Sequence, residues 1–237
     1  EDAKRAALVV LTSARGLAGG CNAHVLRAAV AHLDEQAGSG IETRVHMIGK
    51  KGIGYFRFLR RPMAEQTPTF GERPKFEQVE PIANALIDAF LAGEIGSAYV
   101  AYMRFVSAGQ QRPEVLRLLP LTGEEGAAAA AEKPAPGTGQ AGTAAPAARP
   151  RTIDYELSPS PRELLDELLP AIIRARLFQA LNDALVSEQV ARMIAMKAAT
   201  DAAGDMIKAL SRQYNRARQT QITMELLDIV GGSNALS

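Results

Sequence analysis

The residues most able to do chemistry lie just after the first apolar run. Residues 6–12 form a continuous apolar segment of strand length, and Ser13-Ala14-Arg15-Gly16-Leu17-Ala18-Gly19-Gly20 follows it. A glycine-rich turn between a strand and a helix is where backbone N–H groups can meet a pyrophosphate. The spacing argues against that use. Gly16, Gly19 and Gly20 do not make G-x-G-x-x-G, and the second strand ends in Ile48-Gly49-Lys50 with no acid placed for a ribose hydroxyl. A tight strand-to-helix turn is the simpler reading. Gly49-Lys50-Lys51-Gly52-Ile53-Gly54 resembles a phosphate loop in composition alone, because the G-K-[ST] ending is missing.

Other candidates fare no better. His24 and His32 are eight residues apart on one helix and His46 is on a strand, so they make no metal set. Ser13 lacks a G-x-S-x-G setting, and Cys21 has no evident histidine partner. The expectation is therefore no catalytic residue, no cofactor-binding residue, no metal and no bound cofactor. The polar groups of the C-terminal third are different. Arg192, Lys197, Asp201, Arg212, Arg216, Arg218, Gln219 and Glu225 point to several sides of one helix. Solvation and helical pairs such as Lys197–Asp201 would explain some of them. The apolar residues Leu226, Leu227, Ile229 and Val230 near the end need a sleeve instead.

These groups must be positioned by one element, spanning residues 160–230. Between Ala171 and Gly231 there is no proline, and Gly204 is the only glycine. Good helix formers dominate. Roughly 70 residues make a rod of about 100 Å. The rod is expected to project and to be covered by something else. A seam of Met193, Met196, Thr200, Ala203, Ile207, Leu210, Tyr214, Ala217, Gln221 and Met224 follows coiled-coil spacing. Ser160 is placed as N-cap, Pro161 at the first helical position, and Pro170 is expected to kink the rod.

The preceding chain reads strand, helix, strand, short helix, helix, strand, strand. Strands are predicted over residues 6–12, 43–48, 98–106, 114–121 and 152–157. Helices are predicted over 22–36, 50–59 and 76–91, the second as a helix or turn. Residues 60–75, with Pro62, Pro68 and Pro74, read as loop, and 110–113 as the turn before the fourth strand. This alternation predicts an α/β fold: a small Rossmann-like sheet domain plus a long C-terminal helix forming half of an antiparallel coiled coil. The division is 1–122 and 151–158 for the sheet domain, 123–150 for an Ala/Pro/Gly-rich insertion expected to be disordered, and 159–237 for the helix.

Totals narrow the class. The 237 residues carry 27 Lys and Arg against 26 Asp and Glu, a net charge of +1, so nucleic acid is not an expected partner. One cysteine excludes an internal disulfide. There is no apolar run of membrane-spanning length and no signal peptide. Two alternatives stand beside a projecting coiled-coil shaft: a nucleotide-binding α/β enzyme with a helical oligomerisation tail, and a generic coiled-coil adaptor.

Three stretches carry a family resemblance. They are Leu11 to Asn22 (LTSARGLAGGCN), Ser187 to Asp201 (SEQVARMIAMKAATD) and Tyr214 to Gly232 (YNRARQTQITMELLDIVGG). The sequence resembles the gamma subunit of F-type ATP synthase over almost its whole length except 123–150. The resemblance implies a non-catalytic central-stalk rotor that couples proton-driven rotation of a membrane ring to ATP synthesis. It implies alpha and beta subunits of the catalytic hexamer, epsilon and the c-ring as partners, no direct nucleotide binding, and a peripheral location on the cytoplasmic face of a bacterial inner membrane. By motif match, Arg192, Arg218, Gln219 and Thr223 fall at beta-subunit contacts, and Tyr155 and Glu156 near the c-ring and epsilon. The family's N-terminal helix has no counterpart in this sequence, which suggests truncation. The insertion has no cysteine, so thiol switching is not expected.

Overall fold

The computed structural model describes residues 4–71, 74–121 and 161–235. Strand β1 (Arg5–Leu11) is the centre of a five-stranded sheet in the order β3-β2-β1-β4-β5. It pairs in parallel with β2 (Glu42–Ile48) on one side and β4 (Ser97–Ser107) on the other. Both its neighbours and both its faces are occupied, which is why it can be apolar from Ala6 to Leu11: Ala6, Leu8, Val9 and Val10 are fully buried. The strand order and the parallel pairing give the α/β, Rossmann-like sheet that the alternation predicted.

Side chains alternate across β1 and so build two cores. Leu8 and Val10 join Met47, Ile53 and Phe56 beneath α1 (Cys21–Gly38) and α2 (Lys50–Phe58). Ala7, Val9 and Leu11 face the other way, toward α3 (Phe76–Leu91) and the long helix α4 (Pro161–Ala235). In α3 the residues Val79, Ala83, Leu86 and Ile87 recur at helical spacing and are buried. Gln78 caps its own helix, accepting from the Lys75 backbone N–H at 3.1 Å.

Two local expectations are corrected. Residues 60–75 are not all loop, because β3 (Glu65–Thr67) lies parallel to β2 at the sheet edge. Residues 110–113 are not a turn. They open β5 (Gln110–Leu119), which pairs antiparallel with β4, and the chain reverses at Ala108-Gly109. Pro113 is tolerated because β5 is an edge strand and its missing N–H need pair with nothing outside. The expected strand over 152–157, the N-cap Ser160 and the insertion 123–150 lie outside the described residues.

Helix α4 is 75 residues long and runs unbroken through Pro170. At about 1.5 Å per residue that is about 110 Å. It has two regimes. Over its first part Ile173, Leu177, Ala180 and Leu181 are buried against the sheet and α3. Arg174 Nε donates to Asn84 Oδ1 at 2.7 Å, and the Phe76 and Phe178 rings meet edge to face at 5.6 Å. Beyond Arg192 every described side chain but those of Ala195 and Gly204 is exposed. The rod is thus covered by its own chain at the base, and the expectation of an outside cover applies to its far section only.

Candidate interaction surface

The crossing from covered to bare helix is tightly built. Ser187 is fully buried, and its hydroxyl donates to the carbonyl of Met103 on β4 at 3.1 Å. Met103 stands opposite Pro113 in the β4–β5 register. One turn later, Arg192 pairs with Glu188 and donates through Nε to Gly16 O at 3.3 Å and through a terminal nitrogen to Gln189 Oε1 at 3.1 Å. The side chains of Arg192 and Glu188 are 21% and 12% exposed, so this is a mostly desolvated pair with its charges matched.

The glycine turn receives this contact and is itself fixed. Ser13 N–H donates to Asn22 Oδ1 at 2.9 Å, and Asn22 Nδ2 donates to Ser13 Oγ at 2.7 Å. Cys21 N–H is taken by Ala18 O, and His24 N–H by Gly20 O. At the start of α2, Lys51 N–H donates to Ser13 O and Gly52 N–H to Thr12 Oγ1. The amides of Cys21 and His24 at the start of α1 and of Lys51 and Gly52 at the start of α2 are thus committed to the fold. Gly49 sits at φ 100, where a Cβ would lie 2.0 Å from Thr12 O, so glycine is required by the close crossing of two strand ends. A crevice of about 310 Å3 remains between Lys50, Arg15, Gly71 and the base of α4.

Burial pushes the Cys21 thiol up to about 11, with Glu188 adding to the shift and Arg192 opposing it. The thiol stays protonated at neutral pH and is a poor nucleophile. No group of three or more metal-ligating side chains occurs among the described residues. His32 packs edge to face on Tyr99, and His46 lies between Glu65 and Thr67, so neither is near the other.

The expected site residues are not brought together. Arg192 is half-buried at the base, while Arg218, Gln219 and Thr223 are about 40 Å further along the axis and exposed. The Thr223 hydroxyl donates to Gln219 O at 2.9 Å, one helical turn back. No hydrogen bond or ion pair holds the Arg218 or Gln219 side chains among the described residues. Tyr155 and Glu156 lie outside the described residues. The seam residues Met193, Ile207, Leu210, Tyr214 and Met224 are 58–66% exposed, and Leu226, Leu227, Ile229 and Val230 remain bare. The ion pair on this section is Lys208–Asp205 at 3.6 Å, not the expected Lys197–Asp201. Sequence reasoning missed the tie from Arg192 to Gly16, although the Glu188–Arg192 spacing of one helical turn signalled half of it.

A Rossmann-order sheet carrying a helix that outruns it by about 60 Å defines a protein that presents a rod to other molecules. The family model described as ATP synthase matches residues 1–236. The chain is 41% identical over 239 residues to an ATP synthase gamma chain of Frankia casuarinae, covering 99% of this chain and 74% of that one. It is 38% identical to an ATP synthase gamma chain of Ralstonia nicotianae, covering 99% and 76%. The chain belongs to the ATP synthase gamma chain family. Among solved structures, a chain of the Euglena gracilis mitochondrial ATP synthase matches with TM-score 0.64 and 18% identity over 98% of this chain and 73% of that one. One from the central stalk and c-ring of the Tetrahymena thermophila enzyme matches with TM-score 0.58 and 17% identity, covering 83% and 77%. These last likenesses concern the fold.

Proposed function

We propose that the chain is the central-stalk rotor subunit of a proton-translocating F-type ATP synthase. It couples ion-driven rotation of a membrane ring to ATP synthesis at beta-subunit sites and performs no catalysis itself. The observation that supports this most is the bare section of α4. About 40 residues with a dozen large apolar side chains exposed are stable in water only inside a sleeve. A ring of alpha and beta subunits would supply one, and the small residues Ala199, Ala202, Ala203 and Ala217 leave room for a second helix.

Three similar sites around one shaft can be set to different states only by contacts that vary with angle. Exposed, unheld Arg218 and Gln219 are suited to such contacts, with Thr223 one turn beyond Gln219 on the same side. Arg192 would act nearer the head, where it also braces the glycine turn. The base, with epsilon and the c-ring, would take its contacts through residues including Tyr155 and Glu156. No helix among the described residues is long and apolar enough to cross a membrane. The subunit would therefore be peripheral, on the cytoplasmic face of a bacterial inner membrane.

The test uses the assembled complex. Gln219→Ala and Arg218→Ala should each lower ATP turnover by up to about tenfold, the value of one charge-assisted contact. Neither should change the melting temperature of the subunit, because both side chains are exposed and unpaired. Unchanged turnover and unchanged coupling in both variants would overturn the contact assignment.

A further inference from the structure

Helix α4 meets the head along one seam. Ile173, Leu177, Ala180, Ala184 and Ser187 follow one another at intervals of four or three, with Leu181 beside them. All are buried except Ala184, which packs half-buried against the same core. All but the last are apolar. Apolar contact is non-directional, and this seam nearly repeats itself after one helical turn. Slid by a turn, Ile173 would stand close to the present place of Leu177, and Ala184 close to that of Ser187. Packing alone discriminates weakly between two such placements, and one-turn ratchets of packed helices are a known mode of motion.

Ser187 breaks the repeat. It is fully buried, one of two buried polar residues among the described ones, and its hydroxyl donates to the backbone carbonyl of Met103 on β4 at 3.1 Å. A serine hydroxyl is one rotatable bond from the helix backbone, so this is close to a backbone-to-backbone tie. Arg174 also bonds Asn84, and Arg192 bonds Gly16 O, but both act through long side chains whose several torsions can follow a slide. The serine hydroxyl cannot follow. Moved by a turn, it would leave Met103 O behind and lose a buried hydrogen bond. The tie also sits where cover ends, since the helix is bare beyond Arg192.

We propose that Ser187 is a positioning residue: its hydroxyl pins the axial register of α4 on β4, and so sets the height at which the shaft offers Arg218 and Gln219 to its surroundings. The proposal rests on the reading of the chain as a rotor subunit. A slide of one turn would carry both side chains about 5 Å along the axis, farther than a hydrogen bond reaches. Contacts built for one register would be lost in the other.

The experiment places spin labels at the exposed positions Asp88 on α3 and Asp201 on α4, in the full chain with Cys21→Ala, and measures their separation by pulsed electron resonance. The parent should give one distance. Ser187→Ala should add a second population displaced by up to about 5 Å, and Ser187→Thr, which keeps the hydroxyl, should remove it. Leu181→Ala takes a larger buried side chain from the same seam. It should lower the melting temperature more than Ser187→Ala does and still give one distance, which separates lost register from lost packing. A single unshifted distance in Ser187→Ala overturns the proposal. So does an equal second population in Leu181→Ala. In the assembled ATP synthase, Ser187→Ala should lower the number of ions moved per ATP hydrolysed, while Leu181→Ala keeps the parent value. A displaced population with unchanged coupling upholds the pin and overturns the reading of Arg218 and Gln219 as working contacts of a rotor.

Discussion

Gly49 is the residue on which the head's upper rim closes. The end of β1 and the end of β2 cross there, tied by Thr12 N–H to Ile48 O at 2.8 Å and by Thr12 Oγ1 to the same carbonyl at 2.7 Å. A methyl group at Gly49 would collide with the Thr12 backbone and would also sit at a positive φ. Gly49→Ala should therefore cost roughly 3 kcal/mol or more, read as a lowered urea midpoint with an unchanged slope. Gly54→Ala is the matching control, since its Cβ meets open space. It should be neutral or slightly stabilising, by up to about 1 kcal/mol. At this scale the sequence reads the glycine turns by exclusion only, as spacings that do not match a nucleotide-binding fingerprint. It was silent on the partner of Arg192, because Gly16 is 176 residues away along the chain and only the fold brings the two together.

Among the elements, β3 was the least legible. It is three residues of Glu-Gln-Thr between prolines, without the alternation or branched residues that mark strands. Its pairing depends on His46 of β2, whose ring faces Glu65 Oε2 at 3.0 Å and Thr67 Oγ1 at 3.0 Å. A neutral ring serves both, donating from Nδ1 and accepting at Nε2. Burial lowers the His46 pKa below its usual value despite the opposing pull of Glu65, and burial likewise lowers His32 against Glu35. For a base so shifted, the unfolded chain binds more protons than the folded one in the window below about pH 6.5. Stability is full above that value and is lost as pH falls through the window. Melting temperature should drop between pH 7 and pH 5, and His46→Gln should flatten that drop. A steeper drop in the variant would contradict the assignment. The turn at 108–109 was misplaced for a related reason: Pro113 was read as a breaker, whereas an edge strand accommodates it. The long helix, by contrast, was legible from composition alone. Which part of it the sheet would cover was not, since Ile173 and Leu177 look no more buried in sequence than Leu210.

Considered whole, the molecule divides its stability from its reach. Everything that buries apolar surface ends near Arg192, so a stop codon after Lys197 should leave the head melting within about 2 °C of the full chain, because no buried contact is removed. The same truncation should uncouple ATP turnover from ion flow in the assembled complex. A large fall in the melting temperature would mean that the far section folds back on the head in solution. Hydrogen exchange should find the section beyond Arg192 poorly protected in the isolated chain, since a lone helix in water frays. One feature then acquires a mechanical meaning. The backbone ladder that Ser187 and Arg192 anchor to the sheet is the same ladder that continues to residue 235. There is no swivel at the neck: a twist applied to the sheet must arrive at the far end, diminished only by the elastic give of a single helix.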